Sequence, residues 1–220
     1  MKPGASGDAA LCQLGEEAEV VSWIRNLDRG EFDYQPFYCE ENVYRLCGAL
    51  QAGRTGGPGA SRGTVPARGT VPAEALSAVF VVNESATCAL RHQRAAPPGE
   101  LVVWDYHVLV RVVSPVLGRW ILDLDSRLGV AVPEDEYVAA TVDRRVPERF
   151  RPGFRVVPAD VFLARFSTDR RHMRDADGGW LHPPPPWDPP RGAGAATAHE
   201  LPRFLDVHDS TFGPVRSGLV

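Results

Sequence analysis

Cys39 heads the run Tyr38-Cys39-Glu40-Glu41-Asn42-Val43-Tyr44-Arg45-Leu46-Cys47, in which Val43, Leu46, Cys47 and Leu50 repeat at helical spacing. That spacing predicts a helix from about Cys39 to Gln51 with the cysteine at its start, where free backbone N–H groups and the helix dipole favour a thiolate. Two more residue types complete a set. His107 lies inside the strand-like segment Trp104-Asp105-Tyr106-His107-Val108, and Asp123 lies in the next one, Leu122-Asp123-Leu124-Asp125. Cysteine at a helix start, histidine on a strand and aspartate on its neighbour are the parts of a thiol acyl-transfer site.

Other residues of the same types rank lower. Cys47 falls on the apolar face of the helix and reads as core, Cys12 lies near the N-terminus, and Cys88 has no motif around it. A histidine inside a buried strand needs partners for both ring nitrogens, and a catalytic role supplies them: the Cys39 sulfur and a carboxylate. His172 is the main rival, but its arginine-rich surroundings disfavour imidazolium, while His92, His182, His199 and His208 occupy irregular or weakly patterned stretches. The orienting acid stays open on physical grounds. In a regular strand Asp105 and His107 share a face, as do Asp123 and Asp125 in the next. A register pairing His107 with an odd-numbered residue puts Asp123 on the histidine's side, and a one-residue slip removes it. Asp123-Leu124-Asp125 is only a weak metal signal, and no P-loop or G-x-G-x-x-G follows a strand, so neither a metal nor a cofactor is expected.

The elements that must position these groups follow from pattern. Residues 1–14 read as a flexible tail. Glu16 to Asp28 reads as an amphipathic helix with Val20, Ile24 and Leu27 on one face, packed on the core surface rather than acting as a lid. Residues 52–73 are rich in Gly, Pro, Ala and Arg and repeat Arg-Gly-Thr-Val-Pro-Ala at 62–67 and 68–73, a composition that predicts a disordered insertion. Strands are expected at Ala78–Asn83, at Leu101–Val113 as one long central strand, at Arg119–Asp125 as its antiparallel partner, and at Phe154–Val157. Helices are expected at Pro133–Val142 and at Asp160–Ser167, the second capped by Asp160, with little regular structure after Asp175. The fold class is α/β of the α+β kind: one catalytic domain over residues 15–220, its mainly antiparallel central sheet flanked by helices.

Bulk properties exclude several classes. The net charge of −4 argues against a general nucleic-acid binder. No run approaches the roughly 18 apolar residues that span a bilayer, and no basic segment followed by an apolar stretch marks a signal peptide. The expectation is a cytoplasmic monomer, without nucleic-acid or membrane partners, whose four cysteines are free thiols. Charge is uneven: residues 1–41 hold nine acids and three bases, and residues 141–174 hold nine arginines and four acids.

Tyr-Cys-Glu-Glu-Asn at 38–42, Trp-Asp-Tyr-His-Val at 104–108 and Asp-Leu-Asp at 123–125 resemble protein N-terminal glutamine amidohydrolases. Further matches are Ala78-Val79-Phe80 with Asn83-Glu84, Phe154-Arg155-Val156 leading into Ala159-Asp160, Asp169-Arg170-Arg171-His172-Met173, and Trp180 with Pro183 to Pro186. They run in order from about Tyr38 to Trp187. The resemblance implies hydrolysis of the side-chain amide of an N-terminal glutamine to glutamate and ammonia, without a cofactor, on a fold related to transglutaminase and papain-like thiol enzymes. It selects Asp123 as the orienting acid beside Cys39 and His107. It also implies an acceptor for the substrate's terminal ammonium, for which Glu40, Glu41, Asp105 and Asp125 are the candidates, and the acidic N-terminal part of the chain would attract that cation. Its partners are protein or peptide N-termini bearing glutamine. In a eukaryote, where a nuclear location is also open, the product would feed N-terminal-residue-dependent degradation. The N-terminal extension and the 52–73 insertion lengthen the chain relative to the family core. The match thins to Leu201, Phe204 and Gly213, and the chain stops short of the family's terminal helix, which opens the possibility of altered substrate choice. Alternatives are a transglutaminase-like or papain-like hydrolase of another amide, and an inactive binding module of the same fold.

Overall fold

Along Leu76–Val82 the even-numbered residues Leu76, Ala78, Phe80 and Val82 face one apolar cluster, while Val79 and Val81 face a second. A strand buried on both sides belongs in the middle of a sheet covered on both faces. In the computed structural model, which describes residues 21–53, 71, 73–115 and 117–219, this strand (β1) is one of six in the order β6-β5-β4-β1-β7-β8. The others are β4 (His107–Ser114), β5 (Gly118–Leu122), β6 (Ala131–Pro133), β7 (Gly153–Pro158) and β8 (Val215–Arg216). Every pairing in the sheet is antiparallel. A separate ribbon pairs β2 (Cys88–Arg91) with β3 (Leu101–Trp104).

Residues 21–25 are helical (α1), followed by α2 (Cys39–Gln51), α3 (Glu134–Thr141), α4 (Ala159–Arg165) and α5 (Leu201–Leu205). Helix α2 buries Val43, Leu46, Cys47 and Leu50 against β4 and β1, the face its periodicity predicts. Phe162 and Phe166 bring α4 and its exit onto the same side, where Phe204 of α5 stacks on Phe80 with ring centroids 5.1 Å apart. Tyr137 of α3 packs on the opposite face with Val79, Leu109 and Ile121. Among the described residues no helix is long and apolar enough to cross a membrane.

The strand expected over Arg119–Asp125 ends at Leu122, and three further differences have identifiable causes. The long strand over Leu101–Val113 is two strands in different sheets: β3 pairs with β2, and β4 pairs with β1 and β5. The break falls at Asp105–Tyr106, where Asp105 Oδ1 accepts the Tyr106 N–H at 2.9 Å and replaces a ladder bond with a local one. Asp160 is not a cap. It stands in the first turn of α4, whose cap is Pro158, and its carboxylate accepts the Val161 N–H. The first helix stops at residue 25 rather than Asp28, because Asp28 instead accepts the Gly30 N–H at 2.7 Å and caps a short 3-10 turn over Arg29–Glu31. Ile24 and Leu27 are buried as their spacing predicts. Val20, the 1–14 tail and nearly all of the 52–73 insertion lie outside the described residues.

Candidate active site

Cys39 is the first residue of α2, and its approach is fixed by short-range bonds. Asn42 grips the preceding turn from both sides: its Oδ1 accepts the Gln35 N–H at 2.9 Å and its Nδ2 donates to the Gln35 carbonyl at 2.8 Å. Phe37 holds a left-handed φ of 69° and stacks on the His182 ring, a strained turn of the kind found where a side chain must be aimed. Tyr38 caps the helix without a side-chain bond, so the first-turn N–H groups keep their capacity for an anion.

The surroundings of Cys39 oppose the thiolate that its helix-start position favours. Burial pushes the Cys39 thiol well above its ordinary pKa, the charges of Glu40 and Asp125 push it further, and the backbone N–H of Val108 only partly offsets them. Burial is the largest of these effects on Cys39. Cys47, held at about 12 by burial alone, is core as expected.

His107 opens β4 and is fully buried. Its Nε2 lies 3.0 Å from Asp123 Oδ1, and Trp104 stacks on its ring at 5.4 Å. Among the described residues its Nδ1 has no hydrogen-bond partner, so the expected bond to the Cys39 sulfur is not formed; the thiol donates to Glu40 Oε2 instead. Asp123 is held by four donors: His107 and the Asp125 N–H on Oδ1, Gln93 Nε2 at 3.0 Å and the Tyr137 hydroxyl at 2.7 Å on Oδ2. Burial raises the Asp123 pKa, but His107 and the hydrogen bonds more than compensate, and the net shift is downward. Burial lowers the His107 pKa, and the Asp123 charge and hydrogen bond, aided by Asp125 and Glu40, turn the net shift upward. The β4–β5 register pairs Val110 with Leu122 and so aligns odd with odd, the parity that brings Asp123 to the histidine. Asp123 itself lies just beyond the end of β5.

The four candidate acceptors separate. Glu41 is occupied by Arg170 at 2.7 and 2.8 Å and by the Trp187 indole N–H at 2.9 Å. Asp125 accepts the Tyr34 hydroxyl at 2.5 Å. Asp105 is exposed and bound to its neighbour's N–H, not on a face shared with His107, because the chain breaks between them. Glu40 is fully buried; its Oε2 lies 3.7 Å from Cys39 Sγ and its Oε1 accepts no hydrogen bond. His172 lies close to this carboxylate, with Nε2 3.4 Å from Glu40 Oε1 and 3.2 Å from the Tyr106 hydroxyl. Ligand atoms of His107, Asp123 and Asp125 fall within 4.8 Å of one another, but the His107 Nε2 and both Asp123 oxygens are already committed to the hydrogen bonds above.

Gln93, Tyr137 and Trp104 were not identifiable as site residues from their spacing. Tyr137 carried one signal, since a tyrosine on the buried side of a helix needs a partner for its hydroxyl. Gln93 reaches Asp123 only because the 92–94 loop is tied to the 125–127 segment by the Arg94 N–H to Asp125 and the Arg127 N–H to His92.

A buried histidine–aspartate pair at the end of an antiparallel sheet, with a cysteine heading the helix packed on that sheet, brings together the residue types that a thiol hydrolase of the α/β class uses. The chain belongs to the N-terminal glutamine amidase family, whose model matches residues 34–218 and so extends well past Trp187. It is 39% identical over 164 residues to the protein N-terminal glutamine amidohydrolase of Drosophila melanogaster, covering 71% of this chain and 70% of that one. The protein of the same name from Bos taurus is 36% identical over 154 residues, 69% and 67% of the two chains, and that of Arabidopsis thaliana 34% over 168 residues, 74% and 70%.

Proposed function

We propose that this protein hydrolyses the side-chain amide of N-terminal glutamine in peptides or proteins, with Cys39 as nucleophile, His107 as base and acid, and Asp123 as the group that orients the histidine. The observation that carries this reading is the buried, unpartnered Nδ1 of His107, whose other nitrogen is fixed on a four-donor carboxylate. That bond assigns the proton to Nε2 and leaves the Nδ1 lone pair free to take one.

His107 Nδ1 removes the thiol proton as sulfur attacks the glutamine side-chain carbonyl carbon. The oxyanion is held by first-turn N–H groups of α2, including that of Cys39. His107 returns the proton to the departing nitrogen, ammonia leaves, and a γ-glutamyl thioester forms. A water deprotonated by His107 then attacks the thioester, releasing glutamate and restoring the thiol. The upward shift of His107 suits an imidazolium that must persist through each tetrahedral state. No cofactor enters the sequence. The fold relation to transglutaminase and papain-like enzymes and action by a cytoplasmic monomer are parts of the same reading.

Ammonia release from matched peptides with glutamine first, glutamine second or asparagine first tests it. Release from the first alone, abolished in a folded Cys39→Ala variant, is the expected result. Release from internal glutamine, or cleavage of the peptide bond, would move the protein among broader thiol hydrolases. Inertness toward all three would favour a binding module.

A further inference from the structure

Glu40 meets the Cys39 thiol, His172 and Tyr106, but no arginine or lysine pairs with it among the described residues. Its carboxylate is fully buried one residue from the proposed nucleophile, with Oε2 3.7 Å from the sulfur. Glu41 next door, in contrast, accepts from Arg170 at both of its oxygens. Among the described residues Oε1 of Glu40 accepts no hydrogen bond, and His172 Nε2 lies 3.4 Å from it. A buried carboxylate with an unused oxygen and no fixed cation is costly unless something charged arrives to meet it.

We infer that Glu40 receives the α-ammonium of the substrate, and that the bound cation, by cancelling the carboxylate charge bordering the sulfur, ties attack by Cys39 to the presence of a free N-terminus. The inference rests on the proposed amidohydrolase reading and supplies what that reading lacks, the group that distinguishes a terminal glutamine from an internal one.

The geometry fits the substrate. In an N-terminal glutamine the α-nitrogen is four bonds from the side-chain carbonyl carbon, a reach of at most about 5 Å. A carbonyl carbon about 3–3.5 Å from the sulfur allows the nitrogen to come within hydrogen-bonding range of a carboxylate that borders the same sulfur. An internal glutamine brings a neutral amide to this position, which neither pairs with Glu40 nor cancels its charge. The charged groups acting on the sulfur are Glu40 from its own helix, Asp125 beyond β5 and Asp105 at the end of β3. Glu40 is the strongest of these after burial itself, it is fully buried, and its Oε1 is a solvent-excluded carboxylate oxygen without a hydrogen-bonded donor among the described residues. Tyr106, buried with its hydroxyl 3.2 Å from His172 Nε2, stands beside Cys39 and is also a hydrogen-bonding neighbour of the Glu40 carboxylate.

The test compares two peptides on the full chain: glutamine-first with its free amine, and the same peptide with the α-amino group replaced by hydrogen. In the wild type the amine peptide is strongly preferred. In Glu40→Gln the kcat/KM ratio between the two falls on the order of 10- to 100-fold, as expected when one side of a buried charge pair is removed; Glu40→Asp, which keeps the charge, gives an intermediate ratio and a second chance should the first variant fold poorly. Iodoacetamide labelling of Cys39, followed across pH by mass spectrometry, adds an independent readout: its midpoint moves to lower pH in Glu40→Gln. Equal loss on both peptides in the variants, or an unmoved labelling midpoint, overturns the inference. Absence of ammonia release by the wild type from the amine peptide instead fails the underlying reading.

Discussion

Tyr137 on α3 donates its hydroxyl to Asp123 Oδ2 at 2.7 Å, tying a helix on one face of the sheet to the carboxylate that holds His107. Asp123 accepts through both oxygens, so its orientation does not depend on the histidine alone. A fully buried hydroxyl that made this bond only for packing would be an odd choice, since phenylalanine fills the same space without a polar atom. Tyr137→Phe is expected to lower kcat by roughly 3- to 30-fold and stability by about 1.5–3 kcal/mol, the usual net worth of a hydrogen bond to a charged group. Steady-state kinetics and thermal unfolding check both. A variant with native kcat would show that Gln93 and the Asp125 N–H suffice to hold the carboxylate.

The pH dependence follows from opposite shifts in one pair. His107 is raised above its ordinary 6.5, so its contribution to stability is complete below that value and is lost as pH climbs through the folded pKa. Asp123 is lowered from 3.8, so its contribution is present above that value and is lost as pH falls through the folded pKa. The pair therefore stabilises the fold most between the two ordinary values. A base must be neutral, so on the proposed mechanism kcat/KM rises with pH at a midpoint above 6.5. Asp123→Asn should lower that midpoint and reduce kcat on the order of 10²–10⁴-fold through loss of histidine orientation. A midpoint unmoved by this substitution would separate the limb from His107.

Much of this arrangement was readable before any coordinates. Helix α2 was legible because Val43, Leu46, Cys47 and Leu50 fall on one face with no competing turn signal, and all four are buried. Strand parity narrowed the register at His107 to two answers without choosing between them, and the pairing of Val110 with Leu122 selects the odd-with-odd one. The break at Asp105–Tyr106 was not legible. Leu-Val-Val-Trp before it and His-Val-Leu-Val after it have the same strand character, and no glycine or proline separates them. A single side-chain bond from Asp105 makes the hinge, and propensity does not register it. Glu40 and Glu41 were inseparable for a related reason. Successive helical residues point about 100° apart, so adjacent glutamates meet different surroundings, and Arg170, 129 positions away from Glu41, decides which is neutralised.

That divergence is measurable as stability. Glu41 and Arg170 are both buried, and Trp187 adds a third bond to the carboxylate. Removing the acid strands a guanidinium, so Glu41→Ala should cost about 3–5 kcal/mol. Glu40→Gln removes a carboxylate that has no fixed cation and should cost little or raise stability. Urea unfolding of the two variants gives the comparison; equal losses would mean that Glu40 has a structural partner after all.

Arg155 on β7 is fully buried without a carboxylate, and it spans four carbonyls of the C-terminal segment: Arg203 and Phe204 at 2.8 Å from one terminal nitrogen, Asp206 and Asp209 at 2.6 Å from the other. Those carbonyls follow or end α5, where helical acceptors lose their own donors, so one guanidinium caps the helix and fastens the next turn to the sheet. Its planar fork makes this possible; an ammonium has three donors around one point and does not reach both pairs. Arg155→Met should therefore cost roughly 3 kcal/mol or more, since each charge-assisted bond lost leaves a buried acceptor unpaired. Arg155→Lys should recover only a small part of that loss. Limited proteolysis would locate the effect, with cleavage between residues 203 and 214 appearing in both variants before the sheet unfolds. A lysine variant as stable and as protease-resistant as the native chain would show that charge alone, and not the geometry of the fork, holds this segment in place.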